Sequence, residues 1–206
     1  FGWSRAVLVH QIETKAYERH LTNQTNFDKT ATESVKEHTH LAVKDEYVFD
    51  FLGLSEEYSE KELEGALIQN MRNFLLEMGG DVAFVGNQYR LEVGGEEFFI
   101  DLLLYHRQLQ CLVAIELKIG KFKPEYAGKM QFYLSVLEDT VKLPHEKSPI
   151  GIILCKEKNR VGVEYALKDS TQPIGIATYK ITSKLTKDLE KYFPSGERMM
   201  RSLEGE

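Results

Sequence analysis

Between Ser59 and Gly80 the apolar residues recur at helical spacing. At about 100° per residue, Leu63, Leu67, Met71, Phe74 and Leu75 fall on one face. Ser59 with Glu62 forms a capping box ahead of them, and Gly79–Gly80 supplies a stop. The spacing predicts one helix across this stretch. Glu64 sits on its packing stripe, between Leu67 and Leu75 in angle, whereas Glu62 and Glu77 point elsewhere.

Beyond Gly80 the period falls to two. "DVAFVG", "YRLEV", "EFFIDLLLYH" and "QCLVAIELK" read as strands, with a Gly94–Gly95 hairpin turn in "VGGEE" and a polar turn in "RQLQ". Pro124 opens a helix, "PEYAGKMQFYLSVLED", at a position where the first turn tolerates proline. "PIGIILC" is an unbroken apolar run, as in a strand covered on both faces. "RVGVEYALKD" then reads as a helix, "PIGIATYKI" as a last strand, and a charged helix is expected from Ser183. Upstream, residues 1–20 carry the stripe of a helix, "LTNQTNFDKTATES" reads as a mobile polar linker, and a short helical piece with His38 and His40 is expected at 33–44. The order predicts an α/β fold, a mixed sheet flanked by helices.

Three charges interrupt the most apolar part of the chain, "FFIDLLLYHRQLQCLVAIELKIG" (98–120). Alternation puts Ala114, Glu116 and Lys118 on one face of their strand, and Asp101, Leu103 and Tyr105 opposite Ile100, Leu102 and Leu104 on the other strand. Fourteen residues separate Asp101 from Glu116, enough for two adjacent strands and a turn. Paired with their charged faces together, the strands would bring Asp101, Glu116 and Lys118 to one place, with Glu64 above them. Clustered carboxylates repel, and a hard divalent cation makes them tolerable. Oxygen ligands suit Mg²⁺ or Mn²⁺, which activates water and neutralises charge at a phosphodiester. The bland alternative, a solvent-facing Glu116–Lys118 ion pair on an edge strand, explains these residues about as well.

The formal net charge of −6 speaks against nucleic acid. Residues 101–133 nonetheless hold five basic side chains (Arg107, Lys118, Lys121, Lys123, Lys129) against three acidic ones. Lys121, Lys123, Lys129 and Tyr126 are candidate backbone-phosphate contacts, or simply solvated residues. His106 is a weaker candidate for proton transfer. Cys111 and Cys155 lie in apolar runs and are expected to be reduced, buried thiols of a cytoplasmic protein. No CxxC or HxxxH spacing offers a zinc site, no apolar run reaches the roughly 18 residues of a membrane span, and no signal peptide stands at the start. Phe1 in place of Met is what a fragment would show.

Asp101, fourteen residues, then Glu116-Leu117-Lys118 resembles the D-xn-(D/E)-x-K signature of the PD-(D/E)xK nucleases. "ELEGALIQNMRNFLLEMG", "VGNQYRLEVGGEEFFIDLLLYHR", "AIELKIGKFKPEYAGKMQFYLS" and "IGIILCKEKNRVGVEYAL" resemble blocks of the YhcG-like family within that superfamily. The resemblance implies a restriction-endonuclease-like αβββαβ core in residues 51–206, and a remnant of an N-terminal helical domain plus linker in 1–50. It implies a Mg²⁺- or Mn²⁺-dependent nuclease acting on DNA, with RNA open, no membrane, and a homodimer among the expected assemblies. It makes Glu64, Asp101, Glu116, Lys118 and Gln131 the catalytic set, with metal held by Asp101, Glu116, the Leu117 carbonyl and Glu64. Ile100 stands where the superfamily's proline would be, a position that carries no chemistry. Two other readings compete: a catalytically silent fold used for nucleic-acid binding or assembly, and a glycosidase with Asp101 and Glu116 as its acid pair. Lys118 disfavours the glycosidase, because it would lower the pKa of the acid.

Overall fold

The computed structural model describes residues 5–13, 15, 24–30, 43–54 and 57–181. Most of the helix expected at 33–44, including His38 and His40, and the helix expected from Ser183 lie outside the described residues. In chain order the elements are α1 (Arg5–Glu13), β1 (Gln24–Thr25), α2 (Phe27–Thr30), β2 (Glu46–Val48), α3 (Glu60–Gln69), α4 (Met71–Met78), β3 (Val82–Val93), β4 (Glu96–His106), β5 (Cys111–Leu117), α5 (Pro124–Val136), β6 (Lys147–Cys155), α6 (Arg160–Leu167) and β7 (Ile174–Lys180). From α3 to β6 this is the expected αβββαβ succession.

The seven strands form one mixed sheet in the order β1-β7-β6-β5-β4-β3, with β2 also on β7. β3, β4 and β5 run antiparallel, joined by Gly94–Gly95 (φ +61° and +86°) and by the turn after His106. Positive φ at both turn positions is what a tight hairpin needs and glycine supplies. β5, β6 and β7 are parallel, with α5 and α6 as crossovers. Every residue of β5 is buried, which is the reason its sequence shows no alternation of polarity.

Hydrophobic clusters cover both sides of the sheet. Leu63 and Leu67 of α3 and Phe74 of α4 pack with Leu102, Leu104, Val113, Ile115 and Ile152. Met130, Tyr133 and Leu134 of α5 pack with Leu103, Ala114, Ile153 and Ile176. β6 and α5 approach so closely that a side chain at Gly151 would meet Met130 Cγ at 2.5 Å.

Three expectations change. The helix of 59–79 breaks at Asn70 (φ −105°, ψ 31°), whose amide turns back to the Ala66 carbonyl. The apolar stripe nonetheless continues past the break, with Leu63, Leu67, Phe74 and Met78 in one core cluster. Glu77, expected to point away from that stripe, is wholly buried because α1 and the segment before β2 cover it. It accepts hydrogen bonds from His10 Nε2 (2.7 Å) and the Val48 amide (3.0 Å), and pairs with Lys44 at 3.1 Å. α1 is thereby fastened to the core, with Gln11 Nε2 donating to the Leu76 carbonyl. The "linker" also holds structure: β1 pairs with β7, Asn26 caps the start of β7 through Oδ1, and Phe27 is fully buried. Polar composition concealed one aromatic anchor. "DVAFVG" and "YRLEV", finally, form a single strand with a bulge between Phe84 and Gly86. Among the described residues no helix is long and apolar enough to cross a membrane.

Candidate active site

The β4–β5 ladder ends at the pair Leu102↔Ile115. Asp101 and Glu116 are the next residues of the two strands, at the fork where they part. Asp101 Oδ2 accepts the Leu117 amide at 2.7 Å, which holds the carboxylate at this position. Expected alternation fails across the fork: Ile100 packs with Leu103 and Ala114 against α5, and Leu102 and Leu104 pack on the α3 side. Once β4 is free of β5 it follows α5 instead, with Tyr133 Oη donating to the Phe99 carbonyl at 2.8 Å. Burial, and then the nearby Glu116 charge, raise the Asp101 pKa to about 6, against the lowering effects of the Leu117 amide, Lys118 and Lys129.

Glu116 is 1% exposed. Lys118 Nζ lies 3.1 Å from its Oε1, and Lys129 Nζ, arriving from α5, hydrogen-bonds the same oxygen. The other oxygen, Oε2, is buried and has no hydrogen-bond partner among the described residues. Lys118 also donates to Glu60 Oε2 (2.9 Å) and to the Leu117 carbonyl (2.8 Å). Burial works against its charge, but Glu116 and Glu60 outweigh that and hold its pKa above the usual lysine value. Lys129 is raised in the same way, burial opposing and Glu116 prevailing. Each ammonium lies beside an aromatic ring, Lys118 at 5.6 Å from Tyr126 and Lys129 at 5.2 Å from Tyr133.

Glu64 stands one side chain away from this group. Its oxygens accept from Asn87 Nδ2 (3.2 Å) and Gln88 Nε2 (2.7 Å), and the same Gln88 amide reaches Asp101 Oδ1 at 3.4 Å. Among the described residues no three His, Cys, Asp or Glu side chains close on one point as a ready cation site. Glu64 lines a cleft of about 730 Å³ between α3 and β3, together with Glu60, Gln69, Asn87, Gln88 and Asp101.

Asp101, Glu116 and Lys118 are neighbours, but Glu64 reaches them only through Gln88, so the four do not close on a single point as expected. Gln131 is half-buried on α5, and no side-chain hydrogen bond ties it to the group among the described residues. Lys121 pairs with Glu157 and Lys123 lies near Glu125, both exposed. His106 Nδ1 accepts the Leu109 amide and so caps the turn at the far end of β4. Cys111 and Cys155 are free and buried, and burial lifts their thiols to about 12 and about 11.

Lys129, Glu60, Asn87 and Gln88 were not legible as partners of the site in these roles. Lys129 reads as a phosphate contact in sequence because nothing in "AGKMQFY" shows that its turn of α5 passes Glu116. Gln88 carried one usable signal: it lies thirteen positions before Asp101 across a short hairpin, so the register sets it opposite that residue.

A mixed sheet whose parting strands present two carboxylates, with a lysine two residues after the second, defines the PD-(D/E)xK class of nuclease folds. The chain belongs to the YhcG PDDEXK nuclease-domain family, whose model matches residues 40–194. It is 41% identical over 186 residues to a provisionally named nuclease, YhcG, of Escherichia coli (strain K12), covering 87% of this chain and 49% of that protein. The chain thus spans about half the length of that relative. Partial overlaps with solved structures fall on a repair endonuclease from Pyrococcus abyssi (14% identity, TM-score 0.40, 63% of this chain and 49% of that one). EndoMS in complex with double-stranded DNA gives 13% identity and a TM-score of 0.41, over 63% of this chain and 48% of that one.

Proposed function

We propose that this domain hydrolyses DNA phosphodiester bonds with a divalent cation, Mg²⁺ or Mn²⁺, held by Asp101, Glu116 and the Leu117 carbonyl. The observation that carries the reading is Glu116 Oε2, a buried carboxylate oxygen with no partner among the described residues, beside a second carboxylate destabilised by burial and by the Glu116 charge. A buried unsatisfied anion is costly, and an oxygen-preferring cation is the ligand that removes the cost. Such an ion, when bound, neutralises charge at the phosphodiester and acidifies water. Lys118, charged at neutral pH and tied to Glu116 and Glu60, orients the attacking water and donates to the non-bridging phosphate oxygens. Glu64 holds water on the cleft side, steered by Gln88. Lys129 screens Glu116 and faces the phosphate from α5; Lys121 and Lys123 give weaker contacts to the flanking backbone. Gln131 remains a candidate through the family resemblance.

A second reading, a silent nuclease fold kept for nucleic-acid binding or assembly, draws on one observation: Lys118 and Lys129 already neutralise Glu116 without any metal. Hydrolysis of plasmid and linear DNA with Mg²⁺ separates the two. Wild type is expected to cut, and Lys118→Ala and Asp101→Ala to fall by at least about a hundredfold, the scale of a lost electrostatic contact in a transition state. Equal cleavage by all three overturns the proposal. No cleavage, with no heat of Mg²⁺ binding, favours the second reading. Sedimentation of the intact protein with and without DNA tests the expected homodimer.

A further inference from the structure

Charge is divided across the fork of β4 and β5. On the α5 side stand Lys129 and, exposed nearby, Lys121 and Lys123, while Lys118 spans the fork, pairing with Glu116 and, at 2.9 Å, with Glu60 of α3. On the α3 side the cleft of about 730 Å³ is lined by Glu60, Glu64 and Asp101 against a single cation, Lys61. Its remaining walls are neutral: Gly65, Ile68, Gln69, Asn87 and Gln88. A phosphate is attracted to the first side and repelled from the second. An uncharged, flat, hydrogen-bonding group suits the second, whose volume lies within the roughly 300–1,000 Å³ of small-ligand sites.

The amides of this wall are held in place. Asn87 and Gln88 spend their N–H donors on Glu64 and Asp101. Their side-chain carbonyl oxygens accept no hydrogen bond among the described residues, so both offer acceptors. Gln88 adopts φ +43°, a left-handed conformation that costs a non-glycine residue energy and persists where the surroundings enforce it. A bulge between Phe84 and Gly86 lies just upstream in the same strand. Carboxamides are the side chains that read base edges.

We propose that the cleft between α3 and β3 is a nucleobase subsite, so that the preferred substrate carries an unpaired or extruded nucleotide at the scissile phosphate. The inference rests on the nuclease reading: with the phosphate between Asp101 and Lys118, the base on the same sugar has this phosphate-repelling cleft beside it. A paired base cannot enter without leaving its stack.

The test is fluorescence-anisotropy binding by the full chain, with Ca²⁺ replacing Mg²⁺ so that strands stay intact. Three probes are compared: a DNA single strand, the same strand fully paired, and an all-abasic strand of equal length. The single strand is expected to bind about tenfold tighter than either of the others, the scale of one amide–base contact. Ile68→Trp, which fills the cleft, is expected to erase that gap without changing affinity for the abasic strand. Gln69→Ala, an exposed change with no folding risk, is expected to narrow it. Equal binding of the base-bearing and abasic strands overturns this subsite and leaves the nuclease reading standing. Failure to bind any strand overturns both.

Discussion

Asp101 is a single residue whose burial links stability to the proposed metal site. Its folded pKa of about 6 lies above its ordinary value of 3.8, so the native chain binds this proton more tightly than the unfolded chain does. Stability from this group is therefore greatest below pH 4, declines as pH rises from 4 to 6, and is flat above that. Without metal, Asp101→Asn is expected to match wild type near pH 4 and exceed it by about 2 kcal/mol at pH 7. Urea titrations of variant and wild type in chelator at the two pH values measure this, and a difference between them that does not grow from pH 4 to pH 7 would contradict it. Lys129→Met removes one of two cations from buried Glu116 while keeping the aliphatic stem. Because Lys129 is partly exposed and Lys118 remains, the expected loss is about 1–2 kcal/mol, accompanied by a fall in cleavage. Unchanged cleavage by a folded Lys129→Met would remove Lys129 from the proposed catalytic group.

At the scale of elements, α1 and α4 are joined through Glu77. Its carboxylate is fully buried and answers His10, Lys44 and the Val48 amide, so helix, loop and strand meet on one anion. Glu77→Ala is expected to lose about 3–5 kcal/mol, the cost of leaving a buried counter-charge uncompensated. The capping box at the start of α3 is a smaller matter, since Ser59→Ala forfeits about 1 kcal/mol. Both are read from denaturation midpoints at constant slope, and a Glu77→Ala change smaller than that of Ser59→Ala would refute the clamp. The sequence predicted the second of these and missed the first. A capping box is local, four residues seen at once, whereas the burial of Glu77 depends on two segments at least 29 residues away in the chain, α1 and the residues leading into β2.

For the whole molecule, the sheet fixes the distance between its two layers. Gly151 on the central strand β6 lets α5 settle directly on the backbone, with Met130 filling the place of a side chain. Gly151→Ala is expected to cost about 1–3 kcal/mol by overpacking, and to weaken cleavage further because α5 also carries Lys129. Thermal melts and cleavage of the same preparation test the link; a loss of stability with full activity would separate α5's position from the chemistry.

The chain by itself determined the succession of elements, the hairpin turns and the residues at the parting strands, since capping, periodicity and turn chemistry act over a few neighbouring positions. It also determined Asp101, Glu116 and Lys118 as a unit, because two antiparallel strands and a short turn leave little freedom in register. Only the tertiary structure decided that Lys129 completes the group, that Gln88 mediates between Glu64 and Asp101, and that Glu77 is an interior anion. Those contacts are made between elements, and their geometry depends on where strands part and helices break, which no local pattern encodes.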